Sequence, residues 1–323
     1  MANQTSNRTT KVYLVAAGDY HDIDFARLEL LKLLGENDRI RVAVAANYRD
    51  VDAIRRSDFL ITYTCNVVPS DAEQQALRDY VASGKRWFAL HGTNSILKFL
   101  ADGRVDSPET APVLMQTLGT QFIAHPPIQP FRVRVADPEH ELVKGIGEFD
   151  ADDELYLSRV HGKLHMLLET HYRGAAKGFV EEQWNDDAPR PVYYLHKVGS
   201  GEVLYLNLGH CRGHYDMRPL MPYYPKIERG SWQLPQFYEL LKRGIAKGFV
   251  EEQWNDAAPR PVYYIHKVGN GEVLYLNLGH CRGYYDMQPM MDRYPRIERG
   301  SWQLPQFYEL LRRGIGYCAA RVE

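Results

Sequence analysis

The residues best suited to chemistry in this chain stand where short apolar runs end. Gly18-Asp19-Tyr20-His21-Asp22 follows the run Lys11–Ala17, and Thr64-Cys65-Asn66 follows Phe59–Tyr63. His91-Gly92-Thr93-Asn94 follows Trp87–Leu90, and Gly209-His210-Cys211-Arg212 follows Val203–Leu208. His125, in an AHPP stretch, and Glu154, in DELY, add an imidazole and a carboxylate. An imidazole titrates near neutrality, so it can serve as general base, metal ligand or donor to a substrate hydroxyl. One His or Asp in such a loop is most simply a turn or cap residue, and Asp24 reads as a helix cap. Several such loops on one sheet edge make a site.

On that reading His91 and His21 are the candidates for proton transfer. Asp19, Asn66, Thr93, Asn94, His125, Glu154, His210 and Arg212 are candidates to hold a substrate. His21, His125 and His210 are the candidate ligands of a divalent metal, zinc or manganese, with Asp19 and His91 as further donors of acceptable type. No HxH or HExxH spacing supports that ion, so only the tertiary structure could gather the ligands. His140, His161, His165, His171 and His196 read as surface or core residues.

Thiol chemistry finds less support. Gly209-His210-Cys211-Arg212-Gly213 has the outline of a G-x-nucleophile-x-G elbow, which requires a strand turning sharply into a helix. Pro219, Pro222 and Pro225 follow instead and delay any helix, so Cys211 reads as a small buried residue. The strand-to-helix elbow lies at Phe88–Asn94, where His91 stands in the nucleophile's place. Cys65, Cys211, Cys281 and Cys318 form no CxxC pair, against a disulfide framework or a thiolate zinc site.

The elements that must carry these loops alternate along the first half of the chain. KVYLVAA predicts a buried strand, and Asp24–Leu34 a helix with Phe25, Leu28, Leu31 and Leu34 on one face. Ile40–Ala45, Phe59–Tyr63 and Trp87–Leu90 are further strands. Ser70–Ser83 is a helix in which Ser70 and Glu73 form a capping box. Strands alternating with amphipathic helices imply a parallel sheet covered on both faces, and such sheets bind ligands at the carboxyl ends of their strands. From about residue 120, Phe131–Val135, Glu154–Ser158 and Met166–Thr170 read as short antiparallel strands. Val192–Val198 and Val203–Leu208 flank a Gly-Ser-Gly hairpin turn, and Pro235–Ile245 is a closing helix.

That last stretch is duplicated. Residues 176–245 recur as 246–315 with ten substitutions, among them Asp187/Ala257, His214/Tyr284 and Pro222/Asp292. Solenoid repeats diverge and stack at least three deep, so two near-identical copies point to a segmental duplication. Removing one leaves about 250 residues, a size one α/β domain can reach. Residues 11–245 read as that domain, 246–315 as the spare hairpin and helix, and 1–10 as a disordered tail. The first copy is favoured to complete the sheet, because its strands follow directly from the preceding strand. A lone hairpin with one helix has too small a core to be stable, so a homo-oligomer is expected.

The formal charge of −2 gives no pull toward nucleic acid or an anionic membrane. No apolar run approaches a spanning helix, and a cytoplasmic protein is expected. The stretch His214–Tyr224, with Trp232 and Tyr238, is rich in rings that could stack on a sugar or pack the loop onto the body.

Taken together, the GDYHDIDF, WFALHG, LGTQFIAHPP, VADPEHELVKGI, DELYL and VGSGEVLYLNLGH segments resemble the ThuA-like, trehalose-utilisation family. The resemblance implies the class I glutamine amidotransferase-like superfamily, hence an α/β, flavodoxin-like three-layer sandwich, with its mostly parallel sheet extended by antiparallel strands. It also implies loss of the amidotransferase cysteine, in accord with His91 at the elbow, so a glutamine amidotransferase is not expected. It further implies a role with trehalose or related glycosides through keto-sugars, and matches His21, His91, His125, Glu154 and His210 (or His280) to recurrent polar positions. Two functions follow: an enzyme acting on a sugar or keto-sugar, or a non-catalytic sugar-binding or regulatory module. A third, cysteine-based hydrolysis, requires a thiol of depressed pKa.

Overall fold

A computed structural model describes residues 9–37, 39–213, 216, 226–246, 263–268, 271–276, 300–305, 307–309 and 311–313. Most of the expected N-terminal tail, nearly all of the ring-rich loop 214–224, and His280 with its neighbours lie outside the described residues. The chain divides into two compact units, Thr10–Glu36 with Ile40–Val250, and Met1–Thr9 and Asn37–Arg39 with Glu251–Glu323.

The first unit is organised by a nine-stranded sheet. Its strands are β1 (Thr10–Gly18), β2 (Ile40–Ala45), β3 (Phe59–Cys65), β4 (Arg86–Leu90), β6 (Gln129–Val135), β7 (Phe149–Asp153), β9 (Leu164–Thr170), β10 (Arg190–Val198) and β11 (Gly201–Leu206). They lie in the order β2-β1-β3-β4-β11-β10-β9-β6-β7. The strands from β2 to β11 pair in parallel, and those beyond pair antiparallel. A small separate sheet joins β5 (Thr120–Ala124) to β8 (Leu157–Val160).

Two cores account for the apolar runs. Val12, Leu14 and Ala16 of β1 face a core shared with α1 (Ile23–Leu34) and α5 (Pro235–Ala246). Tyr13 and Val15 face the other, shared with α2 (Val51–Arg56), α3 (Asp71–Ala82) and α4 (Pro112–Leu118). A strand covered on both sides needs apolar residues at every position, so it reads as a run rather than an alternation. Three layers result. On the α5 side the approach is close: a Cβ on Gly244 would stand 2.5 Å from the Phe88 ring.

The strand pair β10–β11 belongs to the first copy of the duplicated segment, so that copy occupies the sheet beside β4. The second unit contains an antiparallel hairpin of β12 (Tyr263–Val268) and β13 (Gly271–Leu276).

Three local expectations need correction. Leu28 is 52% exposed, and the face that α1 buries carries Ala26, Leu30, Leu33 and Leu34. Asp22, not Asp24, caps α1, its carboxylate accepting the Phe25 N–H at 3.2 Å. The expected strand Glu154–Ser158 is broken: β7 ends at Asp153 and β8 starts at Leu157. Asp153 Oδ1 takes the Glu154 N–H at 2.8 Å, and Glu154 lies between the two strands. Among the described residues, no helix is long and apolar enough to cross a membrane.

Candidate active site

The loops after β1, β3 and β4 are built on unusual backbone. Tyr20, Asn66 and His91 adopt φ of 67°, 61° and 43°, and they are the non-glycine residues with positive φ among those described. Each such conformation costs about 1–3 kcal/mol and persists where its surroundings enforce it. At His91 the enforcement is visible. The Tyr205 hydroxyl donates to the His91 carbonyl at 2.6 Å and accepts the Asn94 N–H at 2.8 Å. Gly92 lets the loops after β3 and β4 touch, for a Cβ there would lie 2.7 Å from the Thr64 carbonyl oxygen.

These loops converge on Glu154. His91 Nε2 lies 3.4 Å from Glu154 Oε2, and His21 Nε2 lies 3.8 Å from the same oxygen. His210 Nδ1, His125 Nε2 and Arg212 Nη2 stand 3.1, 3.6 and 3.5 Å from Oε1. His91 and His210 are fully buried, and His21 and Glu154 nearly so. The outer nitrogen of each innermost ring has an acceptor: His21 Nδ1 faces the Asp19 carbonyl at 3.2 Å, His91 Nδ1 the Asn207 carbonyl at 2.8 Å, and His210 Nε2 the Glu228 carboxylate at 2.7 Å. Arg212 also pairs with Glu228 at 2.9 Å.

The charges follow from this packing. Burial works to raise the Glu154 pKa, but the neighbouring imidazoles, His210 first, reverse it and hold the carboxyl well below its usual range. Burial pushes His21 down to about 4, keeping it neutral. Burial also opposes charge on His210, yet the Glu154 and Glu228 carboxylates lift it to about 9. Burial raises the Tyr156 phenol, whose hydroxyl donates to His91 Nε2 at 3.2 Å. It also raises both described thiols, Cys65 and, to about 12, Cys211. Among the described residues, cysteine-based hydrolysis lacks the depressed thiol it requires.

Beside the cluster opens a pocket of about 820 Å³. His21, His125, Glu154, Tyr156 and Arg212 line its polar side, and Tyr20, Phe99, Phe122 and Phe179 give it an aromatic wall.

Residues 11–222 match the family model described as "ThuA: Trehalose utilisation". This chain belongs to the ThuA family. A putative ThuA-like protein from Bacteroides uniformis shares the fold at 18% identity and a TM-score of 0.52, covering 76% of this chain and 94% of that one. A second, from Parabacteroides merdae, is 16% identical with a TM-score of 0.49, covering 76% and 93%. No curated protein sequence matches significantly.

Within this ThuA domain the expected site residues separate. His21, His91, His210 and Glu154 meet, with His125 and Arg212 at their edge. Thr93 and Asn94 do not line the pocket. Thr93 Oγ1 donates to the Leu90 carbonyl at 2.8 Å, and Asn94 Nδ2 donates to Thr120 Oγ1 at 2.7 Å, so both are spent inside the fold. Asp19 and Asn66 are not in the pocket lining and are joined to each other: Asn66 Nδ2 donates to Asp19 Oδ2 at 3.0 Å, and Asn66 Oδ1 accepts the Leu97 N–H. Of the expected metal ligands, His125 stands outside the innermost group and His91 and Glu154 stand in it. Trp232 packs on Phe25, Tyr63 and Phe237 in the core and does not line the pocket.

Asp153, Tyr156 and Glu228 were missed in the sequence. The first two flank Glu154 in DDELY and were within reach of that motif. Glu228 lies beyond three prolines, with no spacing to tie it to His210.

Proposed function

We propose that this chain acts on trehalose or a related glycoside, taken in its keto form, by proton transfer at the Glu154 cluster. The observation that carries the reading is an ionised carboxylate ringed by four imidazoles beside a pocket with an aromatic wall. The pocket volume, about 820 Å³, falls within the usual range for small-molecule clefts. Aromatic faces suit the C–H face of a sugar, while His125, Arg212 and Lys177 offer polar contacts to its hydroxyls.

The chemistry fits imidazoles, the side chains most often used as general acid or base. In a 3-keto-glycoside the proton beside the ketone is acidic, and its removal leaves an enolate next to the anomeric carbon. Arg212, in the pocket wall, supplies positive charge that would favour an enolate formed there. His125, whose Nδ1 donates to the Pro126 carbonyl at 2.7 Å, turns Nε2 toward Glu154 at the pocket wall.

The test is turnover of 3-keto-glycosides by the purified chain and by His91→Ala. The variant should fold normally and lose turnover by about 100-fold or more. Unchanged turnover rejects the assignment. A sugar that raises the melting temperature without being consumed favours a binding module instead.

A further inference from the structure

We propose that His21 Nε2, His91 Nε2, His210 Nδ1 and one Glu154 oxygen hold a transition-metal dication of the zinc or manganese class. This deepens the reading of the Glu154 cluster as the reacting centre and rests on it.

The first support is the direction of the lone pairs. A backbone carbonyl can only accept, so the Asp19 and Asn207 carbonyls place the protons of His21 and His91 on Nδ1. In the neutral rings both Nε2 atoms then present lone pairs, that of His91 also facing the Tyr156 hydroxyl at 3.2 Å, yet they lie 2.9 Å apart. Two lone pairs at that separation repel unless a positive centre, a proton or a metal ion, sits against them.

The second support is His210. Its Nδ1 is buried and stands 3.1 Å from Glu154 Oε1. Its other nitrogen is held by Glu228. An imidazole whose outer N–H is fixed by a carbonyl or carboxylate is the arrangement that orients and strengthens a metal ligand, and all three rings share it.

The third is spacing. Metal–ligand bonds of about 2.0–2.2 Å put neighbouring tetrahedral ligand atoms about 3.3–3.6 Å apart. The separations bracket that range: 2.9 Å for His21–His91, 3.4 and 3.8 Å from Glu154 Oε2 to His91 and His21, and 3.1 Å from Glu154 Oε1 to His210. All four ligand atoms lie within 4.8 Å of one another. Three imidazoles with one carboxylate favour zinc, manganese, cobalt or nickel over calcium or magnesium. His21 and Glu154 also line the pocket, so an ion there would lie within reach of a sugar oxygen.

The experiment uses the untagged full chain, stripped with a chelator and titrated with Zn2+, Mn2+ and Co2+. One ion per chain is expected by mass spectrometry of metal content, with visible absorption of bound Co2+ and a rise in melting temperature. His91→Ala and Glu154→Gln should lose the ion, and Glu228→Gln should bind it about 10–100-fold more weakly. Ca2+ and Mg2+ should not compete. A folded wild-type chain that binds no ion at micromolar metal overturns the proposal and leaves a shared proton between His21 and His91. Keto-glycoside turnover that survives complete chelation overturns the ion and keeps the sugar reading. One bound ion with no sugar turned over keeps the ion and rejects that reading.

Discussion

Asp153 Oδ1 accepts the backbone N–H of His210 at 3.1 Å, tying the end of β7 to the loop that follows β11. The same buried carboxylate takes the N–H groups of Glu154, Gly209 and Ser231 at 2.8, 2.9 and 3.0 Å. One side chain therefore sets the positions of both Glu154 and His210, which come from opposite ends of the antiparallel half of the sheet. Removing it leaves four buried donors unmatched, at about 1–3 kcal/mol each. Asp153→Ala is expected to lower stability by at least about 3 kcal/mol in chemical denaturation, with Asp153→Asn milder. An unshifted denaturation midpoint in the Ala variant would contradict this role.

The ion-free chain should be most stable slightly below neutral pH. His210 is raised from 6.5 to about 9, so its contribution is present below pH 6.5 and is lost as pH rises through 9. His21 is lowered to about 4, so its contribution is present above pH 6.5 and is lost as pH falls toward 4. Melting temperature measured with chelator from pH 4 to 9 should fall on both sides. His210→Gln should flatten the alkaline side alone, and a flat wild-type profile would count against both assignments.

Gly92 is a contact point between two site loops. A methyl group there would meet the Thr64 carbonyl oxygen at 2.7 Å and Cys65 Cβ at 2.9 Å, both set in β3. Gly92→Ala must displace the His91 loop. A loss of about 1–3 kcal/mol is expected, with turnover reduced further than stability accounts for. Wild-type kinetics in this variant would show that the loop tolerates the shift.

The aromatic wall is expected to contribute to binding rather than to chemistry. Phe99 is exposed and tilts against Tyr20 with ring centroids 5.4 Å apart. Phe99→Ala should raise KM for a keto-glycoside about ten-fold with kcat nearly unchanged. A drop in kcat at constant KM would move Phe99 from the wall to the reacting centre.

The second copy should be dispensable for the site. A chain ended after Ala246 retains β10, β11 and α5, and is expected to unfold cooperatively and to keep keto-glycoside turnover. We infer that the full chain self-associates through its extra segment, so light scattering should give a dimer or larger for the full chain and a monomer for the shortened one. A monomeric full chain rejects the association.

Much of the fold was legible because burial on both faces leaves a mark. KVYLVAA and FLITY are uninterrupted apolar runs, and only a covered parallel strand tolerates that. The capping box of α3 was legible for a local reason, since Ser70 and Glu73 satisfy each other across one turn. The candidate site was legible as a set of strand-end loops, but not as a geometry. Nothing local says that Asn94 turns inward to Thr120, or that Glu228 reaches His210 across 18 residues.

The duplicated segment separates the two kinds of information. Its hairpins have the same register, Val198 opposite Gly201 and Val268 opposite Gly271. Trp232 meets Phe237 at 4.9 Å and 74°, while Trp302 meets Phe307 at 4.8 Å and 72°. Identical neighbours in sequence produce identical turns and ring contacts, so these were decided by sequence alone. Burial was not: Trp232 is 4% exposed and Trp302 is 40% exposed. The edge of β4 left open by β3 accepts one strand, and β11 takes it. Which copy surrounds Glu154 is therefore a property of the assembled sheet, because no residue within either copy encodes that single vacancy.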